Sequence, residues 1–140
     1  MARPSGEKTR MNGEWTEAKF KSFIRNQLRA ATIKWKPIQD SKKAANIRRG
    51  VYLCSCCDEE ITATVVDVNK RKRVNNVIVD HKEPIIDPSV GWVSWDSLID
   101  RMFCNSDNLA VVCRECHDKK TNEERAEAKI RRDKEKENVE

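Results

Sequence analysis

Two Cys-x-x-Cys pairs, Cys54/Cys57 and Cys113/Cys116, constrain this chain more than any other feature. A two-residue gap lets a tight turn aim both sulfurs at one point. Two such pairs complete the four-sulfur tetrahedron of a closed structural zinc site. The chain needs that help. It has 140 residues, of which 36% are charged, 38% hydrophobic and 6% aromatic. That is a thin apolar supply for one domain and too little for two independent cores. A structural zinc contributes folding free energy directly, about 10 kcal/mol or more in zinc-binding peptides.

Other uses of the thiols fit less well. A redox pair would sit in a thioredoxin-like context, which is missing. A disulfide framework needs an oxidising compartment. Met1 to Asn12 has no apolar core like that of a secretory signal, and no run of 18 apolar residues suggests a membrane span. The expected location is therefore cytoplasmic, with no membrane partner. Cys56 is an alternative ligand to Cys54 or Cys57 but lacks the standard gap. Cys104 has no partner at ligand spacing and reads as a small buried side chain.

The net charge of +5 hides a split. Residues 1–53 hold 13 Lys/Arg against 4 Asp/Glu, and residues 54–140 hold 15 against 19, so the halves carry +9 and −4. A basic arm ahead of the cysteines suits a polyanion. Lys19, Arg25 and Arg29 are its candidate contacts. A second basic run, Lys70-Arg71-Lys72-Arg73, reads either as a further contact or as a solvated hairpin tip.

Residues 1–13 carry Pro4, Gly6 and Gly13 without apolar period and read as a disordered tail. Thr16 can cap a helix in which Phe20, Phe23, Ile24, Leu28 and Ala31 recur at helical spacing. Ile38 to Arg49 reads as a weaker helix stopped by Gly50, so that 14–50 forms a helical basic arm. Beyond it the texture becomes strand-like: Val51 to Cys54, Ile61 to Val68, Val77 to Val79 and Leu109 to Val112, with a turn expected at Asn75-Asn76. Asp96 can cap a short helix, and Trp92 and Trp95 read as packing anchors. A helix of alternating charge is expected from Arg114 to about Lys136, frayed after Ile130, with 131–140 a charged tail. The fold class expected is α+β.

The two histidines lie at telling places. His81 follows Asp80 at the end of an apolar strand, and His117 follows Cys116 at the start of a helix. Asp107-Asn108-Leu109 opens the strand between them. A carboxylate and an imidazole can hold one divalent cation and leave positions for water. A second imidazole can take a proton from that water. Metal, base and basic surface together suit phosphodiester hydrolysis. In the bland alternative Asp80 caps a turn, His81 packs against the tryptophans, and His117 joins Cys113 and Cys116 on the structural zinc.

Val79-Asp80-His81-Lys82-Glu83-Pro84, Cys104 to Leu109 and Cys113 to Thr121, taken in order with both knuckles, resemble the HNH endonucleases, the ββα-metal nucleases. The likeness is closest to small zinc-knuckle members of bacteriophage type. It covers roughly residues 51–125, within an expected nuclease domain of 51–130. The resemblance implies a ββα core stapled by a four-cysteine zinc site. It implies Asp80 and His117 as ligands of a catalytic Mg²⁺ or Mn²⁺, with other transition metals as candidates. It further implies His81 as general base, Asn108 as the tie of the loop that orients it, and 5′-phosphate and 3′-hydroxyl ends on cleaved DNA. Many relatives carry a further His or Asn one turn beyond the helix His, where this chain has Thr121. Lys119, Lys120 and Arg125 read either as phosphate contacts or as solvated helix charges.

Competing with a DNA endonuclease are a non-catalytic zinc-ribbon DNA-binding protein and an accessory subunit of a phage packaging machine. A homodimer partner belongs to the same set of expectations, as does a host cytoplasm if the chain is phage-encoded.

Overall fold

A computed structural model describes residues 6–138. The chain divides into two compact units, one ending at Lys34 and the other starting at Trp35.

In the first unit, strand β1 (Lys8–Arg10) pairs antiparallel with β2 (Trp15–Thr16). The connecting turn places Met11, Asn12 and Gly13 at positive φ, with the Gly13 and Glu14 N–H groups donating to the Arg10 carbonyl. Disorder through residue 13 is therefore corrected from Lys8 onward; residues 1–5 lie outside the described residues. The reason is side-chain anchoring that apolar periodicity does not reveal. Arg10 Nε bonds Glu17 Oε2 at 2.9 Å, and its guanidinium lies 4.1 Å from the centre of the Phe20 ring. Helix α1 (Glu17–Ala31) follows, and Thr16 Oγ1 accepts from the Lys19 N–H at 3.2 Å. Trp15 meets Phe23 edge-on at 5.2 Å. Thr32 Oγ1 donates to the Arg29 carbonyl as the chain enters a 3₁₀ turn, Thr32–Lys34.

The second unit opens with α2 (Lys36–Ala45), which has Pro37 in its first turn. The expected arm 14–50 thus breaks near its middle. Trp35 Nε1 donates to the Cys104 carbonyl at 2.7 Å, the Trp35 and Phe103 rings meet edge-on at 5.4 Å, and α2 packs on the later strand Leu109–Cys113. The arm's second half belongs with the cysteines. The helix expected to reach Arg49 stops at Ala45. Residues 46–48 form β3 (Asn46–Arg48), and Gly50, at φ +75°, turns the chain into β4 (Val51–Leu53). With β5 (Glu60–Thr62) these make a three-stranded antiparallel sheet.

Strands β6 (Thr64–Asp67) and β7 (Lys72–Asn75) form a hairpin. Its turn lies at residues 68–71 and not at Asn75-Asn76. Asp67 Oδ1 accepts the N–H groups of Asn69 and Lys70, and Arg71 takes a left-handed φ of 53°. Asn76 is instead a buried stitch. Its Nδ2 donates to the Thr62 carbonyl, its Oδ1 accepts from the Arg114 N–H, and its own N–H reaches the Ala63 carbonyl.

Strand β8 (Val77–His81) pairs antiparallel with β9 (Leu109–Cys113), in register from Val77 opposite Cys113 to His81 opposite Leu109. Between them lie α3 (Trp95–Met102) and a 3₁₀ turn, Ser106–Asn108. Ser94, not Asp96, caps α3, its Oγ accepting from the Ser97 N–H at 3.1 Å. Leu98 and Met102, four residues apart on α3, are buried, as are Val77, Leu109 and Val111. A second cluster joins Cys54, Val112 and Cys113 with Ile61, Ile78 and Ala110.

Helix α4 (Arg114–Glu137) leaves β9 directly. The helix expected to reach about Lys136 ends at Glu137, and residues 131–137 continue it without a break at Ile130. Arg131 pairs with Glu135 at 3.6 Å and seats its guanidinium against Gly91, where an added Cβ would lie 1.6 Å from Nη1. The whole is a small α+β fold with a β-β-α unit at its centre. No helix among the described residues is long and apolar enough to cross a membrane.

Candidate functional site

The four knuckle cysteines converge. The Sγ atoms of Cys54, Cys57, Cys113 and Cys116 all lie within 4.8 Å of one another. A tetrahedral ion with bonds of about 2.3 Å to sulfur needs sulfurs about 3.8 Å apart, so the set fits structural zinc or another thiophilic metal. Local backbone builds each half. Asp58, at φ +59°, lets the first knuckle close, with its N–H donating to the Cys54 carbonyl and the Cys54 N–H to the Glu59 carbonyl. Cys113 is the N-cap of α4, and its Sγ accepts from the Cys116 N–H at 3.5 Å. The halves are sewn together by Cys113 N–H to Cys54 Sγ at 3.3 Å and by Ser55 N–H to the Val111 carbonyl at 2.9 Å.

The thiols share their protons unequally. Burial raises Cys54, but the N–H donors of Cys57, Cys113 and Cys56 together outweigh it and bring its pKa down to about 7. Cys116 is pushed far up, first by the Cys113 thiol and then by Cys56. One thiolate forms near neutrality, whereas Cys57 and Cys116, both raised, give up their protons readily only to a cation. Neither Cys56 nor His117 belongs to the converging set. The zinc-ligand alternative for His117 is therefore not the arrangement found.

At the far end of the β8–β9 ladder stand Asp80 and His81. Successive strand residues face opposite sides, and these two part accordingly. The Asp80 carboxylate meets α4, where Lys120 Nζ lies 2.5 Å from Oδ2 and also donates to the His81 carbonyl. The His81 ring turns towards the end of α3, with Nε2 at 2.8 Å from the Met102 carbonyl oxygen. A carbonyl only accepts, so Nε2 carries a proton, and of the two neutral tautomers this contact selects the one with its lone pair on Nδ1.

Asn108 braces the segment after His81. Its Oδ1 accepts from the Glu83 N–H at 2.9 Å, and its backbone carbonyl accepts from Lys82 N–H at 2.8 Å. Arg101 adds a fork, Nε and Nη2 both donating to the Pro84 carbonyl. His117 is a third exposed, with Nδ1 3.9 Å from Asp118 Oδ1. Among the described residues, neither Asp80 nor His117 belongs to a group of three or more His, Cys, Asp or Glu donors. The oxygens around Lys120 Nζ nonetheless fit a hard cation, since one carboxylate and a backbone carbonyl already surround a positive charge there.

The basic residues are dispersed. Lys70 to Arg73 occupy the tip and one strand of the β6–β7 hairpin, and Arg73 Nε donates to Thr64 Oγ1. Lys19 Nζ lies 5.1 Å over the Trp15 ring, Arg25 is half-buried, and Arg29 and Lys119 are exposed. Lys120 holds its ammonium at Asp80. Sequence reasoning also passed over Asn76, Trp35 and Arg101, whose roles are set by distant backbone carbonyls. Lys120 did leave a signal, since it follows His117 by one helical turn and so shares its face.

Comparison with protein-family models, with curated proteins and with solved structures gave no match.

Proposed function

We propose that this chain is a metal-dependent DNA endonuclease of HNH type. The observation that carries the reading is the tautomer of His81: Nε2–H is tied to Met102, and Nδ1 is left as a proton acceptor. Asn108, bonded to the backbone just beyond that histidine, supports it by holding the strand end in place.

In this reading His81 Nδ1 takes a proton from water as the water oxygen bonds to phosphorus. The bond from phosphorus to the 3′ oxygen breaks, and that oxygen gains a proton. The products are 5′-phosphate and 3′-hydroxyl ends. Asp80 and His117 are the residues that would hold Mg²⁺ or Mn²⁺, which when bound supplies charge stabilisation at the phosphate and leaving oxygen. The four cysteines would hold structural zinc and so fix β9 and the start of α4. The first unit carries eight Lys/Arg against three Asp/Glu up to residue 34, whereas residues 35–140 carry twenty of each. The cationic excess thus lies in the helical N-terminal unit, which supports DNA as its partner.

The test is nicking of supercoiled plasmid over a panel of divalent metals, comparing the parent with His81→Ala. Metal-dependent nicking by the parent alone is expected. Equal cutting by both removes His81 as base, and no cutting by either under any metal removes the enzyme. A second reading, a zinc-stapled DNA-binding protein without turnover, draws on one observation: Asp80 already has a cationic partner in Lys120.

A further inference from the structure

Lys120 of α4 ties that helix to the end of strand β8. Its Nζ lies 2.5 Å from Asp80 Oδ2, donates to the His81 carbonyl, and stands 3.4 Å from the Lys82 carbonyl. Asp80 is only 18% exposed at its side chain. An ammonium has three donors and no acceptor, and here it gathers the oxygens that a hard divalent cation would gather. Two cations cannot share them, because their repulsion at bonding distances exceeds what one carboxylate returns.

A second resting place lies close by. Glu124, one turn along α4, has Oε1 3.8 Å from the same Nζ. Beside it opens a cavity of about 460 Å³ lined by Lys120, Arg101, Glu83, Glu123, Glu124 and Glu127. The lysine stem is long and flexible enough to move its charge from Asp80 to Glu124 without shifting the helix.

We infer that Lys120 is a built-in counter-cation of Asp80, which a divalent ion displaces onto Glu124, and that this exchange sets the affinity of the site for the ion. It rests on the reading of Asp80 as a divalent-ion ligand. Lys120 acts through Asp80 and is a positioning residue. In the ion-free protein it keeps the strand end assembled, and it makes the site select against ions too weakly bound to evict it.

The experiment is a calorimetric titration of the zinc-loaded full chain with Mn²⁺, without DNA. Lys120→Gln is expected to bind Mn²⁺ at least about tenfold tighter than the parent, as repulsion between neighbouring charges is removed. Lys120→Arg keeps the charge and should stay near the parent, and Asp80→Asn should lose the site. Equal or weaker binding by Lys120→Gln overturns the inference. So does an arginine variant as tight as the glutamine one, or the absence of Mn²⁺ binding in every form. Should Lys120→Gln lose its zinc, Glu124→Gln carries the test: weaker Mn²⁺ binding supports the exchange, and unchanged binding overturns it. DNA cleavage is read separately. The expected binding pattern in a protein that never cuts DNA supports the exchange and refutes the nuclease.

Discussion

The Nε2 of His81 lies 2.8 Å from the carbonyl oxygen of Met102, so the end of strand β8 and the end of helix α3 share one hydrogen bond. Met102 is fully buried, which makes its carbonyl a fixed acceptor. The ring's orientation and tautomer are thereby set by the core and not by the sequence around the histidine.

Removing that ring should cost activity and little else. His81→Ala is expected to lower the plasmid nicking rate by about 10²- to 10⁴-fold, the usual contribution of a positioned general base. Zinc content and DNA affinity should stay near the parent's. A loss of zinc in the variant would mark His81 as structural.

Zinc binding should depend on pH with a sign set by the thiols. Each sulfur must shed a proton to bind, so affinity falls as pH falls. Cys54, with its pKa near 7, is already a thiolate above that value. Below it, one more proton must leave per ion, so apparent affinity should drop more steeply below about pH 7 than above it. Competition titrations with a chelator at a series of pH values measure the slope. Chelation, or Cys113→Ala, should abolish the cooperative melt of the second unit.

Asn76→Ala should destabilise the second unit by about 1–3 kcal/mol, the range for a buried hydrogen-bonding group left without its partner. The Thr62 carbonyl loses its Asn76 Nδ2 donor, whereas the Arg114 N–H retains the Asn76 carbonyl at 3.1 Å. Chemical denaturation of the zinc-loaded protein measures the change. A shift within error would show that water replaces the amide.

Deleting residues 1–34 should weaken DNA binding and flatten its salt dependence, because eight of the chain's cations go with only three anions. The cut belongs at 34 and not at 50. Trp35 and α2 are bound into the second unit, and their removal would expose Cys104 and β9. An unchanged salt slope would assign DNA contact to the β6–β7 hairpin instead.

Local chemistry was legible where it was short-ranged. Thr16 caps α1 as its side chain and position suggested, and β8 and β9 fall on the two apolar runs. The Cys-x-x-Cys spacing named the four sulfurs that converge. Reading failed where one of several possible side-chain caps, or a distant partner, decided. Asn76, expected in a turn, was buried as a stitch, and the turn formed instead at the basic run already read as a hairpin tip, where Asp67 caps two N–H groups. Ser94 displaced Asp96 as a cap, and Trp35, bonded to the Cys104 carbonyl, placed α2 in the second unit.

By itself the sequence determined which residues carry chemistry: four thiols at ligand spacing, a carboxylate beside an imidazole at a strand end, and a cationic N-terminal segment. These follow from side-chain identity and from periods of two to four residues. The tertiary structure alone decided their states. It paired Asp80 with Lys120 across 40 positions and aimed His81 at a carbonyl 21 positions away. Such pairings depend on how strands and helices pack, and residue order does not record that distance.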